Sequence, residues 1–382
     1  MKENRRCFMK GALYGALVAI VMTLIVVVVV IQNSAIDFSA SMKLNSIEDL
    51  VEETFIYDVD KQLQEQFIYK AYMAGLEDPY SKYYTPEEAA SYLEAAKGIY
   101  SGIGIVIGVK DSTGEILVQD VYEDTPASRA KIKAGDIIIK VDGIDVVGKT
   151  IDEVVKYTKK AVGADVILSI ISQDKTEREV KLVCEEISIV TVTSEMKKGN
   201  VGYINVDEFD DVTYEQFNKA LIQLESQGMQ SLVIDLRDNP GGSLQVVCDM
   251  LRLLLPEGLI VYTEDKDGKR VEKLCDGKQL FEKPLAVLVN QNSASASEIF
   301  TGAIQDYGIG TIVGTKTYGK GIVQDLIRLR DGSMIKMTSS QYFTPKGRNI
   351  HKKGIEPDIT VENNEDGKKD LQLETAIKVV SN

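Results

Sequence analysis

Twice in this 382-residue chain a mainly apolar run leads through a polar turn into a helical stretch. Ser231–Leu236 reads as a buried strand and runs straight into Arg237-Asp238-Asn239-Pro240-Gly241-Gly242 before a helix over 243–255. Leu285–Val289 repeats the arrangement, with a helix from about Ser295 to Tyr307. Val201–Val206 adds a strand and 213–228 a helix. Strands that alternate with helices in this way predict an α/β layered domain from about Ile187 onward, taken as residues 187–382.

Three different textures precede it. Residues 11–31, including Val26-Val27-Val28-Val29-Val30, carry no charge, and a run of that length is expected to span the hydrocarbon core as a helix. Lys2, Arg5, Arg6 and Lys10 come before it. The positive-inside rule then places that end in the cytoplasm and everything from about Gln32 onward outside, on a bacterial cytoplasmic membrane crossed once. An uncleaved anchor is expected, because a signal peptide has a shorter apolar region; cleavage after Ala35 is the alternative. Residues 1–32 are therefore read as a cytoplasmic stub and transmembrane anchor, and 33–98 as a helical preface that serves as an oligomerisation element, with a homodimer among the expected partners. Within the preface, Leu76-Glu77-Asp78-Pro79-Tyr80-Ser81 forms a turn, since the residue before a proline avoids the α region. Thr85-Pro86-Glu87-Glu88 is a helix start, with threonine as the cap and proline in the first turn. From Gly98 short β-rich runs alternate with turns, giving a compact unit over 99–186.

The net charge of −14 argues against a nucleic-acid or anionic-membrane partner, either of which needs a basic face. Cys7, Cys184, Cys248 and Cys275 are widely scattered, so neither a disulfide framework nor a metal site is indicated and separate buried thiols are expected. No metal or cofactor is implied.

The chain holds one histidine, so a serine nucleophile here depends on another base. A serine hydroxyl attacks only when a neighbour takes its proton, and lysine can be that neighbour. Ser295 lies in Ser293-Ala294-Ser295-Ala296-Ser297-Glu298, where a buried strand gives way to a helix N-terminus. Free amides and the positive end of the helix dipole stabilise an oxyanion at such a junction, and the Ala296 amide is a natural donor. Gly241 and Gly242 occupy the matching junction, with Gly241 preferred as the second donor. Lys320, in Tyr318-Gly319-Lys320-Gly321, must be neutral to act as a base, which requires a drop of roughly three units from about 10.4, or about 4 kcal/mol; burial can supply it. Gln324 can orient the amine without adding a charge that raises its pKa. Taken singly, each signal has a plainer reading as a helix-packing face or a turn.

In combination, these residues resemble the carboxyl-terminal processing proteases, exported serine peptidases with a Ser/Lys dyad. The serine run, the Gly-Lys-Gly with its following glutamine, and Asp235-Leu236-Arg237-Asp238-Asn239-Pro240-Gly241-Gly242 match that family's signature in order and spacing. Tyr342-Phe343-Thr344-Pro345 and Gly354-Ile355-Glu356-Pro357-Asp358 resemble its later signatures. The resemblance implies an α/β spiral core of the crotonase or Clp-protease kind, Ser295 as nucleophile, Lys320 as general base, Gln324 as its orienter, and Gly241 and Ala296 as oxyanion hole. It also makes the 99–186 unit similar to a PDZ domain that captures the free C-termini of protein or peptide substrates. Gly102, Ile103, Gly104 and Ile105 then resemble the carboxylate-binding loop, with the isoleucines lining a pocket or else simply filling the core. After about Val361 only a short tail remains, which leaves no room for the cell-wall-binding extension of some relatives.

Other motifs are set aside. Gly102-x-Gly104 leads into a strand, where a dinucleotide fingerprint needs a helix. Asp265-Lys266-Asp267-Gly268 lacks the spaced ligands of a calcium loop and reads as a hairpin turn. His351 is read as a surface or supporting residue. The reading is thus a membrane-anchored serine endopeptidase; its rivals are a silent PDZ scaffold that holds C-termini and an acyl-thioester enzyme on a related fold.

Overall fold

The computed structural model describes residues 2–33, 38–110, 113–279, 281–363 and 369–381. The chain forms two compact units, residues 1–68 and 69–382. The first contains α1 (Lys2–Asn33), α2 (Phe38–Thr54) and the start of α3 (Lys61–Ala74). The transmembrane helix expected over 11–31 is corrected: α1 is helical, but among the described residues no helix is long and apolar enough to cross a membrane. The alternative cleavage point at Ala35 lies outside the described residues.

The second unit opens with β1 (Lys82–Tyr84) and α4 (Pro86–Lys97). Thr85 caps α4 as the sequence predicts, accepting from the Glu88 amide while Glu88 reaches back to the Thr85 amide at 2.9 Å. Then come β2 (Ile99–Gly102), β3 (Ile105–Lys110), β4 (Glu115–Val121), α5 (Pro126–Arg129), β5 (Ile137–Val141) and β6 (Ile144–Asp145). They are followed by α6 (Ile151–Thr158), β7 (Asp165–Ile171), β8 (Glu177–Val183) and β9 (Glu185–Ser188). The main sheet of this segment runs β3-β4-β5-β7-β8 with β6 beside β5, and β2 pairs separately with β9. Alternate residues of β7, Val166, Leu168 and Ile170, are fully buried, as the two-residue period of a half-exposed strand requires. They share a core with Ile116, Ile138 and Val154.

The remaining elements build the larger layer: β10 (Val192–Lys197), β11 (Val201–Val206), α7 (Thr213–Ser226), β12 (Ser231–Asp235), α8 (Leu244–Leu251), β13 (Gly258–Asp265) and β14 (Arg270–Cys275). Next are β15 (Leu285–Val289), α9 (Ala296–Tyr307), β16 (Thr311–Gly314), β17 (Ile322–Arg328), β18 (Met334–Phe343), β19 (Ile359–Thr360) and α10 (Leu371–Val380). Their sheet runs β10-β11-β12-β15-β16-β19, parallel throughout except for β10. Every residue of β12 and β15 is buried, as in a parallel sheet whose two faces are both covered by helices. On one face Ile234 and Val287 pack with Phe217 of α7, Val247 of α8 and Phe300 of α9. On the other, Val233 and Leu288 pack with Ala376 and Val380 of α10.

A second sheet, not foreseen from the sequence, pairs β1, β18, β13 and β14, with β17 on β18. The Asp265–Gly268 turn joins β13 to β14, and Asp265 Oδ1 accepts the Asp267 and Lys269 amides at 2.9 Å each, confirming a hairpin in place of a cation loop. Cys184, Cys248 and Cys275 are free and buried.

Candidate active site

Because β12, β15 and β16 are parallel neighbours, the loops leaving their carboxyl ends lie side by side, the usual place for a site in such a sheet. The first loop carries Asn239-Pro240-Gly241-Gly242, the second Ser293-Ala294-Ser295, and the third Tyr318-Gly319-Lys320.

Buried polar atoms stitch the first two loops together. Ser293 Oγ donates to the Leu236 carbonyl at 2.7 Å, and the Asn239 carbonyl accepts from the Ala294 amide at 3.1 Å and from Ser297 Oγ at 3.0 Å. Asp238 Oδ1 accepts from the side-chain amides of Asn290 and Asn292 at 2.9 and 2.8 Å. Ser295 itself takes φ 55° and ψ −113°, a left-handed conformation costing a non-glycine residue about 1–3 kcal/mol, so the surroundings impose it. Gly241, at φ +112°, comes so close that a Cβ there would stand 2.8 Å from Ser295 Cβ and 3.0 Å from the Ala296 nitrogen.

The second and third loops are joined through Glu298, which is fully buried in α9. Its Oε2 accepts the amides of Ser295 at 3.0 Å and Lys320 at 2.8 Å. Its Oε1 accepts Thr317 Oγ1 at 2.6 Å and the Gly319 amide at 2.7 Å. Burial pushes this carboxyl above its usual range while the four donors oppose that. Tyr342, also buried, puts its hydroxyl 3.0 Å from the Ser295 carbonyl and 2.7 Å from that of Lys320. Serine and lysine are thus tied twice, through their amides and through their carbonyls.

Lys320 is half-buried, and burial, followed by Lys336, holds its amine below the ordinary value against the opposing pull of Asp78 and Glu298. The loops therefore present a partly shielded lysine whose proton is weakly held, beside a strained serine at a helix N-terminus. That pairing suits proton transfer from a hydroxyl and attack on a carbonyl.

Two sequence-predicted residues, Gln324 and Gly241, sit differently from expectation, and for Ile103 one of the two open readings is decided. Gln324 does not place its amide on Lys320; its Nε2 lies 3.4 Å from Thr338 Oγ1, across the β17–β18 pair. The Gly241 amide already donates to Asn239 Oδ1 at 2.8 Å, whereas Ala296, as the first residue of α9, carries an amide with no acceptor inside the helix. In the β-rich segment Ile103 is 2 % exposed and belongs to the core, so it lines no surface pocket. Ile105 is partly buried against that core at the start of β3. Gly102 closes β2, and Gly104 has φ +82° with Thr125 so near that any Cβ would overlap its side chain. Glu298 and Tyr342 lie in the quoted signatures but were given no role there; the capping-box spacing Ser295-x-x-Glu298 was a signal for the first.

Comparison with known proteins places the chain in a family. The peptidase family S41 model matches residues 200–361 and a PDZ domain model matches 117–171. A CtpA-like serine protease of Staphylococcus aureus (strain COL) is 34 % identical over 354 residues, covering 91 % of this chain and 70 % of the relative. One from Staphylococcus epidermidis is 39 % identical over 290 residues, covering 75 % of this chain and 58 % of the relative. A crystal structure of a candidate S41 protease from Bacteroides fragilis matches with TM-score 0.51 at 18 % identity, over 82 % of this chain and 90 % of the other, and bears on the fold alone. A serine peptidase with a PDZ domain is thereby defined. The chain belongs to peptidase family S41, among the CtpA-like serine proteases.

Proposed function

We propose that this peptidase cleaves proteins selected by their C-termini, with Ser295 as nucleophile and Lys320 as general base. The observation that carries the reading is the Glu298 carboxylate, which holds the amides of both residues and so fixes the two loops in one register. Neutral Lys320 takes the Ser295 proton as Oγ attacks the scissile carbonyl. The oxyanion takes the Ala296 amide and draws the Gly241 amide away from Asn239, since a charged oxygen is the stronger acceptor. Lys320 returns the proton to the leaving amine, and water it then activates releases the acyl-enzyme. Gln324 supports the lysine indirectly, through Thr338.

Substrate capture by the PDZ segment rests on β3, an edge strand of its sheet with α6 packed beside it. A peptide tail adds there as a further strand, and the Gly102–Gly104 turn offers amides to its carboxylate. Export to the extracytoplasmic side belongs to the same reading and rests on the order of Lys2, Arg5, Arg6 and Lys10 before the apolar run.

The test uses the full chain and an unstructured reporter with an apolar C-terminal tail. Activity in wild type, its rise with pH, and its loss in Ser295→Ala and Lys320→Ala are expected. Undiminished cleavage by either variant would sink the dyad; tail binding without cleavage in all three would leave a scaffold.

A further inference from the structure

The turn Asp78-Pro79-Tyr80-Ser81 has no part in the chemistry described above, yet it reaches Lys320. The Lys320 Nζ stands 4.6 Å from the centroid of the Tyr80 ring, within cation–π range. Strand pairing explains the approach. β1 follows the turn directly and pairs with β18, Lys82 opposite Lys336, while β17 begins two residues after Lys320 and pairs with the same strand.

Polar contacts fix the turn on that strand. Ser81 Oγ accepts the Thr338 amide at 3.0 Å and donates to Asp78 Oδ2 at 2.6 Å. Asp78 Oδ1 accepts the Tyr80 amide at 3.2 Å. Thr338 is also the residue that receives the Gln324 amide, so the turn, the glutamine and the lysine loop share one anchor.

We propose that Tyr80 and Asp78 are positioning residues for Lys320: the tyrosine ring covers the amine and limits its access to water, and the aspartate sets the charge it faces. The inference rests on Lys320 being the general base. The groups around the amine are Asp78 and Tyr80 from the turn, Lys336 from β18 and Glu298 from α9. His351 comes up behind Gly321, where a Cβ would meet its backbone nitrogen at 2.5 Å, and it feels Asp78 as well. Burial raises the Asp78 carboxyl, but bonds from Ser81, Thr338 and the Tyr80 amide, with the Lys320 charge, bring it below its ordinary value and keep it ionised. Burial, then a bond with Tyr318, pushes the Tyr80 phenol up to about 12, so the ring is neutral throughout.

The two residues act on the lysine in opposite directions, which makes the proposal testable. Tyr80→Ala admits water, and because burial is the largest influence on the amine, the regained hydration favours the ammonium by more than the lost attraction of the ring disfavours it, whereas Asp78→Asn removes a charge that favours it. In the full-length protein with the reporter, Tyr80→Ala should lower kcat about 10-fold or more with little change in KM, and move the rising limb of the pH profile upward by at least ~0.5 unit. Asp78→Asn should move that limb downward by a similar amount, and Tyr80→Phe, which keeps the ring, should stay within about threefold of wild type. Unshifted limbs in both folded variants, or shifts in the same direction, overturn the proposal; if Tyr80→Ala does not fold, the Asp78→Asn profile decides alone. Should Lys320→Ala retain activity, the failure lies with the general-base reading itself.

Discussion

Glu298 accepts the backbone amide of Lys320 at 2.8 Å from a site with no exposure to solvent. One oxygen of the same carboxylate also holds the Ser295 amide, so the distance between nucleophile and base depends on a side chain that reacts with nothing. In Glu298→Gln, whichever oxygen becomes NH₂ faces donors. At least one buried amide loses its acceptor, costing about 2–4 kcal/mol, and the lysine loop is released. A fall in kcat of about 100-fold or more in the folded variant is expected, read by reporter cleavage alongside denaturant unfolding.

Arg237 closes the end of β12 onto α10. Its guanidinium bonds Asp235 through Nε at 2.9 and 3.0 Å, and Asp370, the cap of α10, through Nη1 and Nη2 at 2.8 and 2.7 Å. Arg237→Ala strands Asp235, which is 2 % exposed, as a buried charge. A loss of about 3–5 kcal/mol is expected in urea unfolding. Asp235→Asn combined with Arg237→Ala should lose less than the single variant, since the unpaired charge has gone.

Gly241 has two reasons to be glycine: its φ of +112°, and the 2.8 Å separating any added Cβ from the Ala294 carbonyl oxygen. Gly241→Ala should therefore lower stability by about 1–3 kcal/mol and cut activity more than stability, because the displaced loop is the one beside Ser295. Parallel measurement of unfolding and of kcat/KM separates the two effects.

Asp210 is nearly buried, and burial, then the neighbouring Glu208 and Asp211, raise its carboxyl to about 6. A raised carboxyl favours the neutral form in the fold. Its stabilisation is complete below the unfolded value near 3.9 and is lost as pH climbs through about 6. Asp210→Asn should therefore raise unfolding stability at pH 7 by up to about 3 kcal/mol and change little at pH 4. Equal effects at both pH values would show that packing, not charge, dominates there.

Much of this was legible in residue order. Leu285–Val289 is apolar throughout and Ser231–Asp235 is apolar at its centre, as buried strands are, and the helices after them start within a residue or so of where turn chemistry placed them. Thr85 and the Asp265–Gly268 turn act locally, so their hydrogen bonds follow from residues within a few positions. The nucleophile and base candidates could be named for the same reason: each sits in a short motif with its own geometry.

What joins those motifs could not be read that way. Glu298 and Lys320, or Tyr342 and Ser295, meet because parallel pairing of β12, β15 and β16 brings three loop ends together and β18 folds back across them. Antiparallel pairing of β17 and β1 with β18 sent Gln324 to Thr338 and set Tyr80 over Lys320. Sequence decided what each segment could form and which side chains had the chemistry to matter, because those properties depend on near neighbours. Distances, burial and the depressed basicity of Lys320 were left to the tertiary structure, since they depend on groups far away along the chain that only packing brings into contact.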